Sequence, residues 1–178
     1  MTGDALKSLI RTVPDFPAEG IQFRDITTLL ADGEGLGAAI DAMAAIARDL
    51  GAEAIAGIEA RGFIFGTGIA VKLGCGFVPL RKAGKLPVKT IFEDYALEYG
   101  EARLELDPTI VRPGQRIVLV DDLLATGGTA LAGAKLLRRA GALCSDALFA
   151  IDLPELGGVK TLAGNDLAAH SLIAFEGH

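Results

Sequence analysis

The stretch IVLVDDLLATGGTA, Ile117 to Ala130, decides the fold. Ile117 to Val120 is a continuous apolar run, the pattern of a strand buried on both faces. Two carboxylates follow, Asp121 and Asp122, then Ala125-Thr126-Gly127-Gly128-Thr129, then the helical pattern ALAGAKLLRRA. Strand, acidic pair, Gly/Thr turn and helix together read as a phosphate-binding unit. Glycines let backbone amides approach an anion closely, threonines add hydroxyl donors, and the helix N-terminus adds its dipole. The acids have the wrong sign for a phosphate. They suit hydroxyls, such as those of a ribose, or a metal. Other phosphate loops fit badly: there is no GxxxxGK[ST] run, and no GxGxxG follows a strand.

Working outward, apolar strand patterns alternate with helical ones. Helices are expected at Asp4 to Arg11, Gly35 to Leu50, Phe63 to Leu73 and Glu155 to Ala163. Strands are expected at Ala54 to Ile58, Gly76 to Leu80, Ala102 to Leu106 (exposed), Leu143 to Leu153 and Leu172 to Phe175. The Pro-containing segment VPDFPAEGIQFRDI carries no element in this reading. Arg81 to Gly100 is rich in charge, Gly and Pro, and reads as a long loop or loose hairpin, a common form for an active-site lid. The alternation predicts an α/β fold with a mostly parallel sheet covered on both faces, its ligands bound beyond the C-terminal strand ends.

A second strand end carries Ile58-Glu59-Ala60-Arg61-Gly62-Phe63. An arginine at a helix start opposes the dipole, so Arg61 is either a solvated surface residue or a partner for an anion that uses guanidinium and amides together. Arg81, Lys82, Lys85 and Lys89 form a basic cluster in an acidic protein, either a solvated loop or an anion contact. Glu98 is either a solvated loop carboxylate or an acid/base group carried over the substrate when a lid closes.

Length and composition agree with one small enzyme domain. The chain has 178 residues, 51% of them hydrophobic, and a net charge of -6, which argues against a nucleic-acid surface. No apolar run reaches the roughly 20 residues needed to span a bilayer, and MTGDALKSLIRTVPDF lacks a signal-peptide core. Cys75 and Cys144 match no zinc or CxxC spacing and read as reduced core thiols of a cytoplasmic protein. His170 and His178 lie far from every site block, and a core or surface role is expected for both.

The Asp-Asp/TGGT block resembles the phosphoribosyl-diphosphate (PRPP) motif of type I phosphoribosyltransferases. With DFPxxGIxFRDIT, EARGFIFG, RKxGKLP and LEYG in the same order, nearly the whole chain is similar to the adenine phosphoribosyltransferase family. The resemblance implies a type I phosphoribosyltransferase fold, with a five-stranded parallel core flanked by helices. The hood would span about 1–33, the core about 34–178 and a lid about 82–101. It implies purine salvage: adenine plus PRPP gives AMP plus diphosphate, with Mg²⁺ on PRPP oxygens and water rather than on protein ligands. It also implies a homodimer with no nucleic-acid or membrane partner.

Residue by residue, the resemblance puts Asp121 and Asp122 on the ribose hydroxyls and Ala125, Thr126, Gly127, Gly128 and Thr129 on the 5′-phosphate. Arg61 falls on the diphosphate, in a loop that often carries a non-proline cis peptide, here Glu59-Ala60. Arg81 and Lys85 fall near the same group. Phe23 and Leu153 sandwich the purine, the Arg24 backbone reads its edge, Tyr99 lies in the substrate-binding LEYG segment, and Glu98 assists proton transfer. Two alternatives follow. An oxopurine enzyme would need a donor such as lysine in ALFAIDLPE, which has none. A PRPP-sensing regulator would carry a DNA-binding domain or basic face.

Overall fold

Strand β3 (Ala54–Ile58) is buried at every residue and lies at the middle of the molecule. In the computed structural model, which describes residues 2–96 and 100–177, it pairs in parallel with β4 (Gly76–Lys82) on one side and β7 (Ile117–Leu124) on the other. β8 (Asp146–Asp152) and β9 (Ala168–Ala174) continue the parallel sheet beyond β7. β6 (Glu101–Leu106) and β5 (Ile91–Ala96) add two antiparallel strands outside β4, giving the order β5-β6-β4-β3-β7-β8-β9. The five parallel strands expected from sequence are present, in a sheet that the hairpin widens to seven. The chain leaves β3 toward β4 and returns to place β7 on the other flank of β3. Ligands gather at such a reversal, past the C-terminal strand ends.

Side-chain alternation divides the core into two layers. Ala54, Ala56, Ile58, Ile117, Leu119 and Phe149 face α5 (Gly128–Arg139). Ile55, Val118, Val120 and Leu148 face α3 (Gly33–Asp49) and α4 (Arg61–Leu73). Helix α3 begins where the Asp32 carboxylate accepts the Gly35 N–H at 2.7 Å, and it buries Ala39, Met43, Ala44 and Ala47 at helical spacing. Helix α4 buries Phe65 and Ile69 completely, each worth about 1.5–3 kcal/mol of transfer free energy. It stops at Gly74, which takes the left-handed conformation (φ 66°).

Several expectations need correction. VPDFPAEGIQFRDI is not structureless: β1 (Arg11–Pro14) and β2 (Gln22–Asp25) form an antiparallel hairpin. Short helix α2 (Thr27–Ala31) follows it, and α1 (Gly3–Ser8) precedes it. Bonds from Thr27 and the Arg11 guanidinium hold Asp25 at about 2, tying the hairpin to the start of α2. Of the long loop or loose hairpin expected at Arg81 to Gly100, the described residues fit the second: β4 runs on to Lys82, and β5 pairs with β6. β6 is only half exposed, with Leu104 and Leu106 buried. The expected helix from Glu155 to Ala163 is broken at Gly157 (φ 76°) into a 3-10 turn, Pro154–Leu156, and α6 (Gly158–Ala163). The strand expected from Leu143 starts at Asp146.

Cys144 is buried, and desolvation pushes its thiol up to about 12. Cys75 is partly buried, and desolvation raises its thiol too. His170 pairs with Asp146 at 2.9 Å, and His178 lies outside the described residues. Among the described residues no helix is long and apolar enough to cross a membrane.

Candidate active site

β7 continues through the acidic pair because β8 pairs with it as far as Leu124, whereas β3 pairs with it only to Val120. Asp121 and Asp122 thus lie on a supported strand beside a gap. Into that gap fits the first turn of α4. A Cβ on Gly62 would lie 2.8 Å from the Val120 carbonyl and 2.9 Å from Asp121 Oδ1, so only glycine allows this approach. Arg61 Nε consequently sits 2.9 Å from Asp122 Oδ2. This is an ion-pair distance, yet the buried Oδ2 has no aligned hydrogen-bond donor. The Asp122 N–H donates to Asp121 Oδ1 at 2.9 Å. Burial raises the Asp121 carboxyl well above the usual range, with repulsion from Asp122 second and the Arg61 charge opposing. Part of Asp121 still reaches solvent, but the protein mass around its carboxyl sets the direction.

The TGGT turn closes on Gly127 (φ 90°), the N-terminal boundary of α5, and no side chain caps that helix. Its first amides therefore remain available to an anion. Asp121 to Ala130, Arg61 and Phe149 line a cleft of about 220 Å³. The floor of the turn is backbone: a Cβ on Gly158 would lie 2.4 Å from the Ala125 carbonyl. A neighbouring chamber of about 440 Å³ shares Arg61, Asp121, Asp122 and Thr129, and adds Glu59, Ala60, Lys82 and Tyr95. A third, apolar slot of about 180 Å³ is lined by Phe23, Arg24, Arg61, Leu123, Leu153 and Leu156, together with Ile21 and Gln22. Arg61 is common to all three spaces.

The structure thus brings together Arg61, Asp121, Asp122 and Ala125 to Thr129, and beside them Phe23, Arg24 and Leu153. The Glu59-Ala60 bond is cis, as is Phe16-Pro17, which the sequence reading did not anticipate. Arg81 and Lys85 do not line these spaces. Arg81 Nε donates to Glu59 Oε2 at 3.0 Å, and this bond holds the Glu59 carboxyl below its ordinary value. Lys85 is exposed in the irregular segment beyond the turn that follows β4. Lys82, on the opposite face of β4 from Arg81, lines the larger chamber instead. Alternation along Arg81-Lys82 was the signal that separates the two. Tyr95 was also missed; its membership in a paired strand was hidden by the charge around it. Glu98 and Tyr99 lie outside the described residues. No cluster of three or more His, Cys, Asp or Glu side chains able to hold a metal occurs among the described residues.

A strand-end acidic pair, an uncapped glycine turn and an apolar slot fit a phosphorylated sugar beside a flat base. The family described as "Phosphoribosyl transferase domain" matches residues 26–155. An adenine phosphoribosyltransferase from Erythrobacter litoralis is 66% identical over 178 residues, covering all of both chains. The chain belongs to the adenine phosphoribosyltransferase family. The crystal structure of the family member from Thermoanaerobacter pseudethanolicus matches with a TM-score of 0.92 and 45% identity, over 98% of this chain and 100% of that one. The Saccharomyces cerevisiae family member, solved with D-2,5-dideoxy-2,5-imino-altritol 1,6-bisphosphate and adenine, matches with a TM-score of 0.90 and 33% identity. That match covers 96% of this chain and 97% of that one.

Proposed function

We infer that this chain transfers the 5-phosphoribosyl group of PRPP to adenine, releasing AMP and diphosphate. The observation that carries the reading is the single guanidinium, Arg61, shared by the phosphate cleft, the larger chamber and the apolar slot. A donor with two charged ends and a flat acceptor would meet beside it. No lysine lines the slot among the described residues, which favours adenine over an oxopurine.

In this reading the 5′-phosphate takes the amides and hydroxyls of Ala125 to Thr129. Asp121 and Asp122 accept the ribose hydroxyls and fix the ring, so the anomeric carbon faces the slot. Phe23 and Leu153 hold adenine flat between them, and the Arg24 backbone meets its edge. The bond from C1′ to the diphosphate oxygen breaks as the bond to the purine nitrogen forms. Arg61 and Lys82 neutralise the charge gathering on diphosphate, where the surrounding protein strengthens the effect. Arg81 supports this wall through Glu59. Lys85 and the lid, about 82–101, would close over it and keep water from the cationic carbon. The acceptor nitrogen's proton would pass to Glu98, and Tyr99 would contact substrate; both roles rest on the sequence resemblance.

The site also fits Mg²⁺ carried on PRPP. The donors are two adjacent carboxylates, with an unpartnered buried Asp122 Oδ2 beside Arg61. That set is too small for an all-protein cage and suits an ion that keeps its water. Asp121 and Asp122 would hold it through ribose hydroxyls and water, and when bound it would supply charge neutralisation to diphosphate.

We propose a cytoplasmic homodimer with a hood at about 1–33 and a core at about 34–178. Ile64 and Val71, seven residues apart on α4, are exposed and supply an apolar face that a second copy would cover. Light scattering of the purified protein tests this point. AMP formation from adenine and PRPP, with and without Mg²⁺, tests the activity. Equal turnover of hypoxanthine or guanine would overturn the adenine assignment.

A further inference from the structure

The hairpin that carries Phe23 and Arg24 is a two-stranded sheet of its own, not hydrogen-bonded into the seven-stranded sheet. An isolated two-stranded hairpin is marginal in water, so the slot wall it forms needs an outside anchor. The Arg24 guanidinium is anchored by three hydrogen bonds. Its Nη2 donates to the carbonyls of Glu176 at 3.1 Å and Gly177 at 2.7 Å, and its Nη1 donates to Thr12 at 2.7 Å. The opposite wall is the turn Pro154–Leu156, flanked by Leu153. There the Glu155 carboxylate accepts the Gly177 N–H at 3.1 Å. Residues 175–177 therefore touch both walls at once.

We propose that residues 175–177 form a strap that sets the width of the purine slot, with Arg24 and Glu155 as positioning residues for adenine. The inference rests on the adenine reading above.

Three features make this segment a brace rather than a trailing end. Its root is fixed, because the Phe175 N–H donates to the Asp152 carbonyl at 3.0 Å, one residue before Leu153. The Phe175 ring is buried at 8% exposure, with Lys7 Nζ 4.7 Å and Arg24 Cζ 4.6 Å from its centroid. Lys7 also donates to the Ala174 carbonyl at 2.6 Å. Gly177 takes φ 76°, a conformation that L side chains rarely adopt, and so its N–H can face Glu155 while its carbonyl faces Arg24. A flat base between Phe23 and Leu153 gains contact only if those walls stand one ring apart. None of these bonds reaches the phosphate cleft. The strap acts on the acceptor and leaves the donor site alone.

Steady-state kinetics with both substrates test this, on a variant lacking Glu176 to His178 and on Glu155→Gln. The deletion removes both carbonyls that Arg24 uses. It should raise KM for adenine roughly tenfold, the scale of losing a charge-assisted hydrogen bond. KM for PRPP and kcat should stay within about twofold, by the same scale. Glu155→Gln should move KM for adenine the same way by a smaller factor. Unchanged KM for adenine in the deletion variant, or an equal rise for PRPP, overturns the strap. If thermal melting shows that the deletion variant is unfolded, Glu155→Gln decides, and an unchanged adenine KM there overturns it. A full-length chain that makes no AMP is a different failure: the adenine reading falls, and the strap with it.

Discussion

Arg61 Nε and Asp122 Oδ2 lie 2.9 Å apart without an aligned hydrogen bond. The carboxylate is almost wholly buried, while half of the arginine side chain faces solvent. The cation can therefore turn toward an incoming anion without leaving a strong bond behind. Arg61→Lys keeps the charge but loses the planar fork. It should lower kcat/KM for PRPP by about 10²-fold, within the range for removing one stabilising donor. Melting should be little altered, since lysine keeps a positive charge beside the buried Asp122 carboxylate and there is no aligned hydrogen bond to lose. Near-native kcat/KM in this variant removes Arg61 from the diphosphate.

Asp121 couples stability to function with opposite signs. Its folded carboxyl is raised by burial, above an unfolded value near 3.8. Below 3.8 both states hold the proton and the group has no effect. As pH rises from there through the raised folded value, the unfolded chain has released a proton that the native state keeps, so stability falls. Asp121→Asn should therefore melt higher than the parent at about pH 7 and no higher at about pH 3. Calorimetry should show weakened PRPP binding in the same variant. A lower melting point at neutral pH would contradict the direction of the shift.

Gly158 makes no direct contact in the proposed site, yet it should matter as much as Gly127. Gly158→Ala would drive its Cβ to 2.4 Å from the Ala125 carbonyl, which is backbone and has nowhere to rotate. Gly127→Val combines φ 90° with a neighbour, the Gly158 carbonyl, 3.2 Å from the added Cβ. Both should nearly abolish PRPP binding in protein that still folds. Titration by calorimetry checks each, and native affinity in either would show that the turn does not hold the phosphate.

Glu98→Gln should reduce turnover by about 10²–10⁴-fold while leaving adenine and PRPP binding close to native. Gln keeps the size but cannot carry the proton. If turnover is near native, positioning and charge stabilisation account for the catalysis alone.

The acidic pair and the Gly/Thr turn were legible as one unit because they are contiguous in sequence, and Arg61 because it opens a helix at a second strand end. The parallel core was legible because its strands are apolar on both faces. The N-terminal hairpin was not, because four-residue strands, the first ending on Pro14 and the two separated by Pro17 and Gly20, give no periodicity to read. Its pairing is a property of Val13 meeting Phe23, not of either segment. Arg81 and Lys82 were legible as a cluster but not as individuals. Glu59, 22 residues upstream, takes the first and leaves the second in the chamber wall. The strap was illegible for a similar reason: FEGH carries no pattern, and its partners Arg24 and Glu155 lie 153 and 22 residues away from Gly177.

The three spaces that meet at Arg61 also bear on inhibitor design. A compound filling only the apolar slot of about 180 Å³ has little polar purchase, and one filling only the phosphate cleft competes with every free phosphate around it. A single molecule reaching from one to the other must pass the guanidinium, and an anionic group placed at that crossing would engage it. Joining the two ends converts the second binding event into an intramolecular one. The most selective ligand for this protein would be a tethered one, anionic at its middle and at its far end.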